Sequence, residues 1–217
     1  MKTPLLSALV LGAMLSPVHA AEDVAKPATR VYAFKAFLDD KPIGEHRFIV
    51  ASADGARKVT SEADFAVKII GITAYRYHHH ADEQWAGDCL SGLTASTDDD
   101  GKPASVKLVK AGDANEITTN AGKKSEPGCL MTFAYWNPAM RDQKRLLNPQ
   151  TGKVDAVKVE RVGGGSVAVG GKDVPATDWR ITGGESPVDV WISEQGDWVG
   201  LDSMVSGGKH KLTYRLP

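Results

Sequence analysis

Side chains along this chain alternate with a period of two. In "RVYAFKAFLDD", Val31, Ala33 and Lys35 alternate with Tyr32, Phe34, Ala36 and Leu38. Extended strands send successive side chains to opposite faces, so this period constrains the fold more than any other feature. It recurs in "EHRFIVAS", "FAVKIIGITAYRY", "ASVKLVK", "NEITTN", "CLMTFAYW", "VDAVKVERV", "SVAVGG", "ATDWRITG", "PVDVWISE", "DWVGLDSMV" and "KHKLTYRL". Turn clusters such as "ADGAR", "DDDGK", "AGDAN", "NPQTGK", "GGG", "EQGD" and "SGGK" separate these runs. Short strands with turns every 8–12 residues or so specify an all-β antiparallel meander. Gly71, inside the long run "FAVKIIGITAYRY", is expected to mark a bend.

One segment departs from this period. In "NPAMRDQKRLLNPQTG", Asn137 stands where a helix cap belongs, Pro138 suits a first helical position, and Asn148-Pro149 stops the run. Ala139, Met140, Gln143, Leu146 and Leu147 make a rough apolar stripe, which predicts a short helix near 138–147 that plugs one end of the sheet. A lid or partner-binding helix is the rival reading.

The first twenty residues, "MKTPLLSALVLGAMLSPVHA", have the form of an export leader. Lys2 supplies the positive start, Leu5 to Leu15 an apolar core, and Val18-His19-Ala20 a cleavage site. The expected organisation is a leader over 1–20, a disordered linker over 21–29 and a single domain over 30–217, in a periplasmic protein that does not span the membrane after cleavage. The 26 basic and 27 acidic residues, less Lys2, leave a near-neutral chain. That balance offers no basic field for nucleic acid. In an oxidising compartment the two cysteines, Cys89 and Cys129, are expected to form a disulfide.

Candidate chemistry is sparse. In "YRYHHHADEQW", Tyr75, Tyr77 and His79 share one strand face, and Arg76, His78 and His80 share the other. His78 and His80, with His46 in "GEHRF", are candidate ligands for zinc or copper, and Glu45, Asp82, Glu83 and His210 are further candidates. Arg76 beside His78 and His80 argues against a cation there. "STDDDGK" has Lys107 where a calcium loop needs its bidentate Glu, and "GGGSVAVGGK" has Ala168 where a serine elbow needs Gly. No complete catalytic signature is present, so no catalytic residue is assigned. The acids Asp178, Glu185, Asp189 and Glu194 lie in or beside the C-terminal strands without a readable pairing.

Aromatic residues are better placed. Tyr75, Tyr77 and His79, with Trp179, Trp191 and Trp198, are expected to line the concave side of a curved sheet as an apolar groove. The competing reading makes these rings ordinary core.

The segments "KPIGEHRF", "YRYHHHADEQW", "GDCLSGLTASTDDDGK", "YWNPAMRDQKRLLNPQTGK" and "TDWRITG…VDVWISEQGDWVGLDS" resemble a family of exported bacterial proteins described as a domain of unknown function. The resemblance covers nearly all of the chain after the leader. By analogy with a related exported family, it implies a curved open barrel or spiral β-roll, and it brings no activity or site residues.

These readings lead to an expectation of a non-catalytic periplasmic protein that binds or carries an amphipathic molecule, a lipid or acyl compound first and a glycan second. A metal-binding protein built on His78 and His80, and a structural partner in an envelope complex, are the alternatives.

Overall fold

A computed structural model describes residues 27–217 except Gly71. The expected leader and the first six residues of the linker therefore lie outside the described residues. The strands are β1 (Ala28–Leu38), β2 (Lys41–Ala53), β3 (Ala56–Ile69), β4 (Ile72–Ala86), β5 (Cys89–Asp99), β6 (Lys102–Ala111), β7 (Ala114–Thr119) and β8 (Gly122–Pro127). After a non-sheet segment come β9 (Arg145–Leu147), β10 (Val154–Ala156), β11 (Lys158–Val169), β12 (Lys172–Thr182), β13 (Val188–Ser193), β14 (Trp198–Val205) and β15 (His210–Arg215). The first strand starts at Ala28, so the last two residues of the expected linker are paired with Ser52 and Ala51.

Thirteen strands form one antiparallel sheet in the order β11-β12-β13-β14-β15-β1-β2-β3-β4-β5-β6-β7-β8. It is open, with β8 and β11 as its edges. All its neighbours are sequential except β15 and β1, which join the two ends of the chain into one sheet. This is the all-β antiparallel meander that the alternation specifies.

Three local expectations are corrected. The long run through Gly71 is a hairpin: β3 ends at Ile69, β4 starts at Ile72, and these two residues pair. Ile70 has a positive φ of 50°, which serves the reversal. The glycines of "GGG" lie inside β11 and not in a turn, with a register shift between Arg161 and Gly163. A Cβ on Gly165 would stand 3.1 Å from the Trp191 ring, so the bare backbone lets that indole lie against the edge strand. "CLMTFAYW" forms no strand; it makes one isolated bridge, Thr132 to Leu147.

The expected helix over 138–147 is a single 3-10 turn, Pro138–Asp142, capped by Asn137, whose side chain accepts from the Ala139 amide at 3.0 Å. Beyond it the chain extends, and β9 pairs with β10. The reason lies in burial. Leu146 and Leu147 are adjacent and both fully buried, which one stripe of a surface helix does not provide. Leu130, Met131, Ala134, Met140, Leu146 and Leu147 of this plug segment belong to the main core.

The core centres on Trp198, whose ring lies 4.3 Å from Phe34, 5.0 Å from Phe48 and 5.2 Å from Tyr135. The plug is fastened to the β4–β5 hairpin. Cys89 and Cys129 form a disulfide, and the Leu90 amide donates to the Leu130 carbonyl at 2.8 Å. Asn137 donates to Asp88 at 3.1 Å, Arg57 pairs with Asp88 at 2.6 Å, and the Arg57 guanidinium lies over the Trp136 ring.

The disulfide closes a loop of 40 residues. Chain entropy assigns such a crosslink about 4 kcal/mol. The double substitution Cys89→Ala/Cys129→Ala is expected to lower unfolding free energy by up to that amount in urea titration, with the strand signal in circular dichroism retained.

Candidate functional site

Register brings the inner-face polar residues together. His46 on β2 faces Ala63 on β3, which faces His79 on β4, which faces Thr97 on β5. One row further along, Phe48, Ser61, Ala81 and Ala95 are aligned in the same way. Small residues at 63 and 81 leave room above the sheet, and the plug roofs that space at Thr132–Trp136. The result is a chamber of about 410 Å³. Its floor holds the buried Val59 and Glu83 and its roof the buried Thr132 and Ala134, whereas Asp99, Gln150, Glu185 and Ser206 at its rim are exposed. Tyr75 near the rim and Glu83 at the floor are both on β4, a span of about 26 Å at strand rise.

His46 is held on all sides. Its ring stacks on Phe48 at 4.1 Å, its Nε2 lies 2.8 Å from Ser61 Oγ, and its Nδ1 lies 3.2 Å from the Tyr214 hydroxyl. Tyr214 reaches it across Ala36 and Gly44, which share a row with it. Gly44 is required there: its φ is +149°, and a Cβ would come within 1.9 Å of the Asp64 carbonyl oxygen. Burial, with the nearby His79 second, pushes the His46 pKa down to about 3. The ring is therefore neutral, and a weak base. Its hydrogen-bond partners among the described residues are two hydroxyls, of Ser61 and Tyr214, and not the carboxylate that orients a serine nucleophile's histidine. The arrangement orients groups in the chamber wall.

His79 contacts Thr97 Oγ1 through Nδ1 at 2.9 Å, and burial pushes its pKa down to about 4, with the charges of His80 and His78 adding to the effect. Glu83 moves the other way. Burial pushes its carboxyl up to about 7, against the opposing hydrogen bonds from Thr132 and from Trp85, whose Nε1 donates at 2.9 Å. Burial likewise raises the phenols of Tyr77 and Tyr135.

The residues singled out from sequence divide into three groups. Tyr75, Tyr77 and His79 all line the chamber, together with His46. Trp198, Trp179 and Trp191 do not line it, which corrects the expected six-residue groove. Trp198 is buried behind the wall, with its Nε1 donating to the Gly200 carbonyl at 2.9 Å. Trp179 packs at the margin of the core under Arg141. Trp191 belongs to a separate small cluster with Val167, Ala176 and Val199. It points away from the main core, which receives its neighbour Val190. The metal candidates are also separated. His78 and His80 face outward, His78 contacting Asp64 at 2.7 Å and His80 contacting Asp82 at 3.0 Å, whereas His46 faces the chamber. Register places His46 in one row with Ala63 and His79, and alternation along β4 turns His78 and His80 to the other face. Among the described residues no cluster of three or more His, Cys, Asp or Glu is placed to hold a metal ion.

Sequence reasoning missed the floor. From the sequence Glu83 reads only as a candidate metal ligand, and Ser61, Phe48 and Tyr135 carry no site signal. Alternation from His79 through Ala81 to Glu83 and Trp85 was the available signal for the acid.

The family described as Domain of unknown function (DUF6134) matches residues 34–216. The chain belongs to the DUF6134 family. A crystal structure described as a beta-barrel-like protein of the domain of unknown function DUF1849, from Brucella abortus, is similar to this DUF6134 chain with a TM-score of 0.59 at 9% identity. The match covers 88% of this chain and 95% of that one. At that identity the likeness shows a shared fold. A comparison with curated proteins finds no match. No helix among the described residues is long and apolar enough to cross a membrane.

The raised carboxyl gives a test of the floor. Unfolded, Glu83 ionises near its ordinary value of 4.5; folded, it keeps its proton to about 7. The folded state therefore loses stability as pH rises between those values. Glu83→Gln removes this loss, so the variant is expected to gain on the parent by about 3 kcal/mol from pH 4.5 to 7 and by nothing further above. Urea titrations of both proteins across that range measure it. Parallel curves would show that Glu83 ionises normally.

Proposed function

We propose that this DUF6134 protein is exported to the periplasm and there binds or carries an amphipathic small molecule in the chamber between its curved sheet and its plug. The observation that carries this reading is the chamber itself: about 410 Å³ lined by aromatic side chains and by hydroxyl, imidazole and carboxyl groups. A pocket of this size and mixed chemistry suits a ligand with an apolar body and few polar groups. Lipid or acyl compounds are the first class and glycans the second. Export is supported by the leader-like residues 1–20 and is compatible with the Cys89–Cys129 disulfide. The role that follows is handling of such a molecule in envelope biogenesis.

Two measurements check this. Edman sequencing of the secreted protein is expected to begin at Ala21. Native mass spectrometry of protein purified without detergent is expected to show a bound lipid or glycan, lost when Ser61→Phe fills the chamber. A protein that carries no ligand, and that gives no saturable 1:1 binding of a fluorescent amphiphile, would sink the reading.

A further inference from the structure

The charge of the chamber wall is one-sided. Its aromatic residues are Phe48, Tyr75, Tyr77, Phe133, Tyr135 and Trp136. Its carboxyls are Glu83 at the floor and Asp99 and Glu185 at the rim. No Lys or Arg is among the lining residues. Lys153, whose charge interacts with Glu185, is committed to Asp155 at 2.9 Å. The two imidazoles, His46 and His79, are held neutral by burial.

Glu83 is the buried one of the three carboxyls. It is more than nine-tenths buried, it receives hydrogen bonds from Trp85 and Thr132, and among the described residues no cation pairs with it. Buried carboxylates ordinarily pair with a cation or stay protonated, because desolvation penalises the charged form. The same chamber is also lined by the six aromatic side chains named above. Aromatic faces around a carboxylate are the surroundings that bind ammonium groups.

Resting on the reading of the chamber as a ligand site, we propose that the ligand is an organic cation: a primary amine or quaternary ammonium group seated at Glu83, with an apolar body running between Tyr77 and Phe133 toward the rim. Asp99 and Glu185 at the mouth draw such a cation in. An anionic headgroup such as a phosphate or sulfate meets three carboxyls and no basic side chain. The carboxyl that is costly to ionise in the free protein becomes the complement of the ligand's charge.

A matched series tests this: octyltrimethylammonium, octyl glucoside and octyl sulfate, each below its micellar concentration, titrated against the full-length mature protein by calorimetry near pH 8. The ammonium compound is expected to bind at least tenfold more tightly than the glucoside, and the sulfate more weakly still. Glu83→Gln is expected to remove the ammonium preference while leaving glucoside binding within about twofold. Asp99→Asn, at the exposed rim, gives a second variant if the first fails to fold, with a smaller loss confined to the ammonium compound. If the glucoside or sulfate binds as tightly as the ammonium compound, the cation assignment is wrong while the chamber reading stands. If none of the three binds saturably, the chamber reading fails and this inference with it.

Discussion

The pairing of β15 with β1 holds the molecule together. It is short, Lys35 to Arg215 through Leu38 to Leu212, yet it is the one non-sequential contact in the large sheet. Without it the chain is two separate meanders, β1–β8 and β11–β15. With it, Tyr214 comes beside Ala36 and Gly44 and reaches His46, and Trp198 on β14 packs against Phe34 and Phe48 from β1 and β2. Both the chamber wall and its aromatic backing therefore depend on strands from opposite ends of the sequence.

That dependence explains what could be read from the residues alone. Strand character was legible because period-two alternation is a local property, and the all-β meander followed from it. The reversal at Ile70 was not legible, because the turn pairs Ile69 with Ile72 and flips the alternation, and the register shift between Val67 and Lys68 restores it. The plug was legible as a plug through its capping residue and apolar content, but not as a 3-10 turn and a hairpin. Its shape is set by the core it packs into, not by its own propensity.

The candidate site was half legible for the same reason. Tyr75, Tyr77 and His79 were grouped correctly on one face, because they lie on one strand. His46 was grouped with His78 and His80, because cross-strand register decides its neighbours and register is not written in any single segment. Its true companions, Ser61, His79 and Tyr214, come from strands separated in sequence by up to 168 positions. The tryptophans misled because high aromatic content does not say which rings face space and which fill it. Trp198 is the centre of the core and Trp191 stands on the other face.

The meeting of the termini has a bearing on synthesis. Asp39, after β1, accepts from the Lys211 amide at 2.9 Å across 172 positions. A ribosome makes β1 first and β15 last, so β1 waits with one edge bare while almost everything else emerges. Loop closure over such a distance is slow relative to hairpin formation, and an unpaired strand edge is a template for aggregation. The finished outer edge at β8 carries Lys123, Lys124 and Glu126, charges that discourage pairing. The first half of β1, "ATRVYAF", has only Arg30 for that purpose. That six-residue last strand covers only Lys35 to Leu38, so the stretch before them has no β15 partner in the finished sheet either, and Arg30 there is held by Asp197.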